Sequence, residues 1–208
     1  MSLFITFEGG EGSGKSSAIA GVKKYLEEKG YDVILTREPG GTKISEQIRN
    51  VILDKENTEM DSRTEALLYA ASRRQHLVEK IWPSIKQGKI VICDRYLDSS
   101  LAYQGHARGL GVEDILKVNE YATEGTFPNI TFLLDITPEQ GLNRIEANSS
   151  REVNRLDLEK MSFHHKVRDG YLALAKRFED RYVIIDASKP LEAVIQDLCE
   201  AIEQRLGK

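Results

Sequence analysis

The residues best placed to do chemistry stand near the start of the chain, where Gly9-Gly10-Glu11-Gly12-Ser13-Gly14-Lys15-Ser16 fits the pattern G-x-x-x-x-G-K-[ST]. Glycines let successive backbone N–H groups turn inward around phosphate oxygens. A lysine then neutralises β/γ charge, and a hydroxyl one residue later can ligate Mg²⁺. The flanks make the string informative. The apolar run Leu3–Phe7 precedes it and a helical pattern follows, so the helix dipole would also face the phosphates. All eight residues, Gly9 to Ser16, are therefore expected around a nucleoside triphosphate. The plain alternative is a Gly-rich turn with a chance Lys-Ser, and the strand and helix on either side argue against it.

A second set has the chemistry to hold another phosphate. Arg37-Glu38-Pro39-Gly40-Gly41 follows a second apolar run, with Pro and Gly setting a turn beside the guanidinium. Arg49 falls on the next predicted helix, and Asp94-Arg95-Tyr96 closes a third run. Guanidinium forks grip phosphate oxygens bidentately, so Arg37, Arg49 and Arg95 could converge on one acceptor. Surface or ion-pair arginines are the alternative, weakest for Arg95 because it follows a buried strand.

These residues need a frame that brings them to one edge. Short β-branched runs recur at Leu3–Phe7, Asp32–Leu35, Ile90–Cys93, Ile130–Leu134 and Tyr182–Ile185, with amphipathic segments between them. That rhythm predicts a three-layer α/β/α fold with a five-stranded parallel sheet, its strands buried on both faces. In open parallel sheets ligands bind beyond the carboxyl ends of the strands. Glu8, Thr36-Arg37-Glu38, Asp94-Arg95-Tyr96 and Asp135 all follow such runs. The segment from about Arg63 to Gln87 reads as one long helix, with Leu67, Leu68, Ala71, Val78, Ile81, Trp82 and Ile85 as its core stripe and Tyr69 and Arg73 together on its flank.

Bulk properties narrow the class. A chain of 208 residues with 40% hydrophobic content suits one α/β domain spanning 1–208. A net charge of −4 provides no broad field for a nucleic acid, so small charged substrates are expected as partners, not a polymer. The opening MSLFITFEGG has no basic leader, and no long uncharged apolar run occurs, so neither secretion nor a membrane partner is expected and a cytoplasmic location is. Cys93 and Cys199 fit no metal spacing or disulfide framework and read as buried thiols. No N-K-x-D segment for guanine is present, and the chain is short for a motor or transporter ATPase, which leaves a small P-loop kinase.

The strings FEGGEGSGK, TREPGG, EALLYAASRRQHL, DRYLDSSLAYQG and NRLD occur in the order and spacing found in bacterial thymidylate kinases. The chain closely resembles that family from residue 3 to about 160. The resemblance implies a P-loop kinase fold, ATP with Mg²⁺ as donor, dTMP as acceptor, dTDP as product, and a homodimer. It places Arg37, Arg49 and Arg95 on the dTMP phosphate and Glu11 on the sugar 3′-hydroxyl. Tyr69 becomes the ring that stacks on the base, Arg73 the donor to a thymine carbonyl, and Ser100 and Gln104 the other polar edge. Tyr103 would lie under the sugar and disfavour a 2′-hydroxyl. Asp94 would help Ser16 place Mg²⁺.

One departure carries a consequence. Some members hold a basic residue inside the P-loop, but here the stretch is Gly10-Glu11-Gly12-Ser13, so the extra charge must come from elsewhere. The polar segment at 144–156 resembles a mobile lid, with Arg151 as the arginine that closes on the γ-phosphate and Arg144 and Arg155 as alternates. The expected catalytic set is thus Lys15, Asp94, Arg95 and Arg151. His76, His106, His164 and His165 are read as structural or surface residues. Competing readings are another nucleoside monophosphate or deoxynucleoside kinase and, more remotely, a nucleotide-binding module without transfer chemistry.

Overall fold

The computed structural model describes residues 2–147 and 155–207. Five strands form one all-parallel sheet: β1 (Leu3–Glu8), β2 (Val33–Arg37), β3 (Ile90–Asp94), β4 (Ile130–Asp135) and β5 (Tyr182–Asp186), in the order β2-β3-β1-β4-β5. Each strand runs one or two residues past the apolar run read from the sequence, and each ends on a charged residue at the same edge. Strand order reverses at β1, and a ligand crevice opens at that kind of switch point.

The pleat sends alternate strand residues into two cores. Ile5, Phe7, Ile92, Phe132 and Leu134 meet α1 (Lys15–Glu28) and α9 (Leu191–Leu206), packed by Ala18, Ile19, Val22, Leu198 and Ile202. Phe4, Val91, Cys93 and Leu133 face the opposite core, which takes Leu77, Ile81, Leu101 and Val167 from the helices there. The three layers are therefore as expected. Burial on both faces holds for β1, β3 and β4, but β2 and β5 are edge strands buried only in part, leaving Leu35 40% and Ile184 54% exposed.

The long helix is α3 (Ser62–His76), a π-helical stretch Leu77–Ile81, and α4 (Trp82–Lys86). It starts where Asp61 accepts from the N–H groups of Arg63 (3.0 Å) and Thr64 (3.1 Å). Its expected stripe is corrected by the structure. Leu67 is 59% exposed, Val78 44% exposed, and Ala71 also faces out. The buried face instead carries Glu65, Ala66, Tyr69, Ala70, Arg73, His76, Leu77 and Ile81. Polar side chains are turned inward because a polar cavity lies there, and they are neutralised by pairing inside the protein.

The remaining helices complete the frame. α2 (Lys43–Leu53) follows β2. A short α5 (Leu97–Ser100) passes into π-helical Leu101–Ala107, α6 (Val112–Thr123) and α7 (Pro138–Glu146) flank β4, and α8 (Met161–Arg177) follows a 3₁₀ turn at Arg155–Leu158. Cys93 and Cys199 are both buried free thiols.

Candidate active site

The phosphate loop has the geometry its glycines require. Gly9, Gly12 and Gly14 all have positive φ, and Gly14 (φ 84°) sits in the left-handed region immediately before α1. Lys15 is buried and donates from Nζ to the carbonyls of Gly9 (3.1 Å) and Gly10 (3.1 Å) and to Ser13 Oγ (3.2 Å). Burial and the charge of Arg95 push its pKa down to about 8, against the opposing pull of Asp94 and Glu11. An anion in the loop would offset that loss of solvation.

A cavity of about 560 Å³ opens beside the loop, within the range for small ligands. Its lining includes Glu11 to Ser17 from the loop, Arg37, Arg49, Asp94 and Arg95, and also Tyr69, Arg73, Tyr103 and Gln104. The three expected arginines therefore line one cavity with the loop. Arg37 pairs with Glu46 at 3.0 Å, and Arg49 donates to the Pro39 carbonyl at 2.9 Å.

Arg95 is the most constrained of them. Its φ of 68° is unusual for a non-glycine residue, and its own N–H is fixed to the Phe7 carbonyl at 2.9 Å. The guanidinium pairs with Glu11 at 2.7 Å, donates to Ser99 Oγ (3.3 Å) and Tyr171 Oη (3.2 Å), and lies 5.2 Å from the ring centre of Tyr103. Tyr103 also donates to Glu11 at 3.1 Å. Beneath this group lies Glu8, fully buried, which accepts from the Tyr96 N–H (2.8 Å), Ser99 (2.6 Å) and Tyr171 (2.8 Å). Burial and the nearby Asp98 charge raise its pKa to about 7, against the pull of Ser99, Arg95 and Tyr171.

Arg73 is almost wholly buried. Nε donates to Glu38 (2.7 Å), Nη1 to Ser100 (3.2 Å) and to Asn119, and Nη2 to the Tyr96 carbonyl (3.0 Å). Four of the five N–H groups are thus assigned, which leaves one on a side chain that lines the cavity. Ser100 stands behind Arg73 and is not part of the cavity wall. Burial, and then the Glu65 charge, hold the Tyr69 phenol protonated well above its ordinary range.

Of the three arginines expected in a lid, Arg144 lines the cavity from α7. Arg155 is buried against Glu65 and donates to the Ile52 carbonyl at 2.9 Å, so it is committed to the protein interior. Arg151 lies outside the described residues. His76 is buried between Thr36 Oγ1 (2.6 Å) and Glu38 (3.0 Å), and His165 is a surface residue paired with Glu139. Asp135 is engaged by Arg168 at 2.8 Å on both oxygens, which removes it from the site. Sequence reasoning did not single out Glu65, Asn119, Tyr171 or Gly141, and it named Glu38 only as part of the charged strand end and the Arg-Glu-Pro-Gly-Gly turn, without a role.

The donor set is compatible with Mg²⁺. Among the described residues no cluster of three or more His, Cys, Asp or Glu could hold a metal. Mg²⁺ needs none, since it keeps several waters and binds through one or two protein groups plus substrate phosphates. Asp94 Oδ1 is buried with no hydrogen-bond partner among the described residues, and Asp94 and Ser16 line the same cavity.

A phosphate loop at the switch point of a parallel sheet, faced by arginines across one cavity, defines a P-loop kinase fold. Over residues 7–198 the chain matches the family model described as thymidylate kinase. The thymidylate kinase of Geobacillus sp. (strain WCH70) is 57% identical over 203 residues, 98% of this chain and 97% of that protein. That of Clostridium novyi (strain NT) is 56% identical over 195 residues, 94% and 95% of the two chains. Among solved structures, the crystal structure of thymidylate kinase from Ehrlichia chaffeensis aligns with a TM-score of 0.79 at 34% identity, covering 97% of this chain and 98% of that one. The chain belongs to the thymidylate kinase family.

Proposed function

We propose that the protein transfers the γ-phosphate of ATP to dTMP, giving dTDP and ADP. The observation that carries this reading is that one cavity is lined by the phosphate loop, by Arg37, Arg49 and Arg95, and by Tyr69, Arg73 and Gln104 together. Two anionic groups can meet there with a flat polar base.

Phosphoryl transfer chiefly needs in-line positioning and charge neutralisation. Lys15 and the loop amides hold the donor phosphates, while Arg37 and Arg49 hold the acceptor phosphate. Arg95 serves both: its pairing with Glu11 ties it to the donor loop, and its fixed backbone keeps the guanidinium still. A rigid cation at the point of transfer costs no reorganisation in the transition state. Ser16 and Asp94 would hold Mg²⁺, which supplies charge neutralisation to the donor phosphates when bound. Glu11 takes the sugar 3′-hydroxyl, Tyr103 crowds a 2′-hydroxyl, Tyr69 stacks on the base, and Arg73 donates to a carbonyl with Ser100 supporting it. Arg151 remains the proposed lid arginine, and the position of Arg144 on the cavity wall supports a share for it.

The whole chain then acts as one kinase domain with 144–156 as its lid. Exposed Leu67 on α3 and Val78 on the π-helical stretch that continues it support a homodimer through that face. No helix among the described residues is long and apolar enough to cross a membrane, which is compatible with the cytoplasmic location we propose.

A coupled ADP-release assay with dTMP, dUMP, dCMP, dGMP and UMP tests the reading. The expected result is turnover that depends on Mg²⁺ and is fastest with dTMP. No ADP release with dTMP, or faster release with dCMP, dGMP or UMP, would overturn it.

A further inference from the structure

Gln104 lines the cavity, and its amide could present either an acceptor or a donor to a bound base. Its Nε2 donates to Glu65 Oε1 at 2.8 Å. A carboxylate can only accept, so that end must be the NH₂ group. No described residue donates to Oε1, and that atom is not among the buried unpartnered ones, so it opens onto the cavity. Glu65 is itself fixed from three sides. Arg108 reaches both its oxygens at 3.4 Å, Arg155 pairs with Oε2, and the helix start at Asp61 sets its position on α3.

From this arrangement, and resting on the function proposed above, we infer that Glu65 is the positioning residue that sets base specificity, by fixing the Gln104 amide with its carbonyl toward the base. With the Arg73 N–H that no described residue accepts, the same cavity then offers both a donor and an acceptor to a base. That pattern complements the O4 and N3–H of thymine. It opposes the 4-amino group and bare N3 of cytosine, which would set donor against donor and acceptor against acceptor. Glu65 stays ionised to do this. Burial alone would raise its pKa, but the hydrogen bonds from Gln104 and Arg155 and the charges of Arg108 and Arg155 hold it below the ordinary value. Leaving a misfaced amide against a buried base edge is the costly alternative.

The test compares kcat/KM for dTMP and for 5-methyl-dCMP, which keeps the methyl group and sugar and reverses the two hydrogen-bonding positions. In Glu65→Gln the two arginines hold the new carbonyl, its NH₂ faces residue 104, and the Gln104 amide turns over. The ratio is expected to fall at least tenfold, through a higher KM for dTMP, with the KM for ATP within twofold of wild type. Should that variant fail to fold, Glu65→Asp keeps the charge for the arginines but withdraws one methylene from Gln104, and the same fall is expected. Leu77→Ala, a core truncation further along the same long helix and away from the cavity lining, is the control: it lowers the melting temperature but keeps the ratio within twofold. An unchanged ratio in a folded Glu65 variant, or an equal fall in Leu77→Ala, overturns the inference. A wild-type enzyme inactive on dTMP would instead overturn the proposed function itself.

Discussion

The backbones of Gly12 and Gly141 lie directly against each other. A β-carbon on Gly12 would stand 2.0 Å from the Gly141 carbonyl oxygen, and one on Gly141 would stand 2.2 Å from the Glu11 carbonyl oxygen. Helix α7 is thereby seated on the phosphate loop, with Thr137 and Pro138 forming its start. Because the clash is with backbone, neither side can yield by changing a rotamer. Gly141→Ala is expected to raise the KM for ATP at least tenfold and to lower stability by about 2 kcal/mol. Initial rates against ATP and a urea titration measure both.

Tyr171 enters the site from α8 and spans Arg95 and Glu8 through one hydroxyl. Tyr171→Phe removes the hydroxyl and keeps the ring. Arg95 then loses a fixed partner but not its charge, so kcat is expected to fall about tenfold, equivalent to roughly one charge-assisted hydrogen bond, while the KM for ATP holds. An unaltered kcat would show that Glu11 and Ser99 suffice to hold Arg95.

Glu8 gives a pH dependence whose sign is definite. Its folded-state pKa, about 7, lies above the ordinary 4.5, so the fold favours the protonated form. That contribution is complete below pH 4.5 and is lost as pH rises through 7, by at most about 3 kcal/mol. Glu8→Gln imitates the protonated carboxyl at every pH. Relative to wild type its stability is expected to improve between pH 5 and pH 8.5, and denaturant melts at both pH values read the difference.

Tyr103 is held against Glu11 and Arg95, at the place proposed for the sugar. Removing the ring in Tyr103→Ala opens space for a 2′-hydroxyl. The preference for deoxyribo- over ribo-acceptors is expected to drop at least fivefold in kcat/KM. An equal loss for both acceptors would mean that the ring holds Glu11 and does not read the sugar.

The arginines proposed for a lid are expected to separate by kind of defect. Arg155→Met removes a buried partner of Glu65, and breaking a buried pair typically costs about 3 kcal/mol, so this variant is expected to be markedly less stable. Arg151→Ala is expected to melt like wild type and lose kcat more than it raises the KM for dTMP. Thermal denaturation beside steady-state kinetics distinguishes them, and the reverse pattern would exchange their roles.

The phosphate loop was legible in the sequence because its function resides in local backbone: glycines at set intervals between a strand and a helix make the cradle wherever the chain places it. Five apolar runs likewise determined the sheet, since β-branched residues between helical segments leave few alternatives to parallel pairing. The face of α3 was not legible in that way. A periodic reading puts Leu67 and Val78 inside and Arg73 at the flank, but the fold buries Arg73, Glu65 and His76 and leaves the two apolar residues exposed. What reverses it is a polar cavity whose partners come from afar: Glu38 from the turn after β2, Asn119 from α6, and Arg155 from beyond α7. Burying charge is tolerated only when such partners arrive together, and no local pattern encodes their arrival. The sequence by itself therefore determined where the glycine loop stands and how the sheet forms. Tertiary packing alone decided which side chains are locked, which remain open to a ligand, and why Gly141 must lack a side chain.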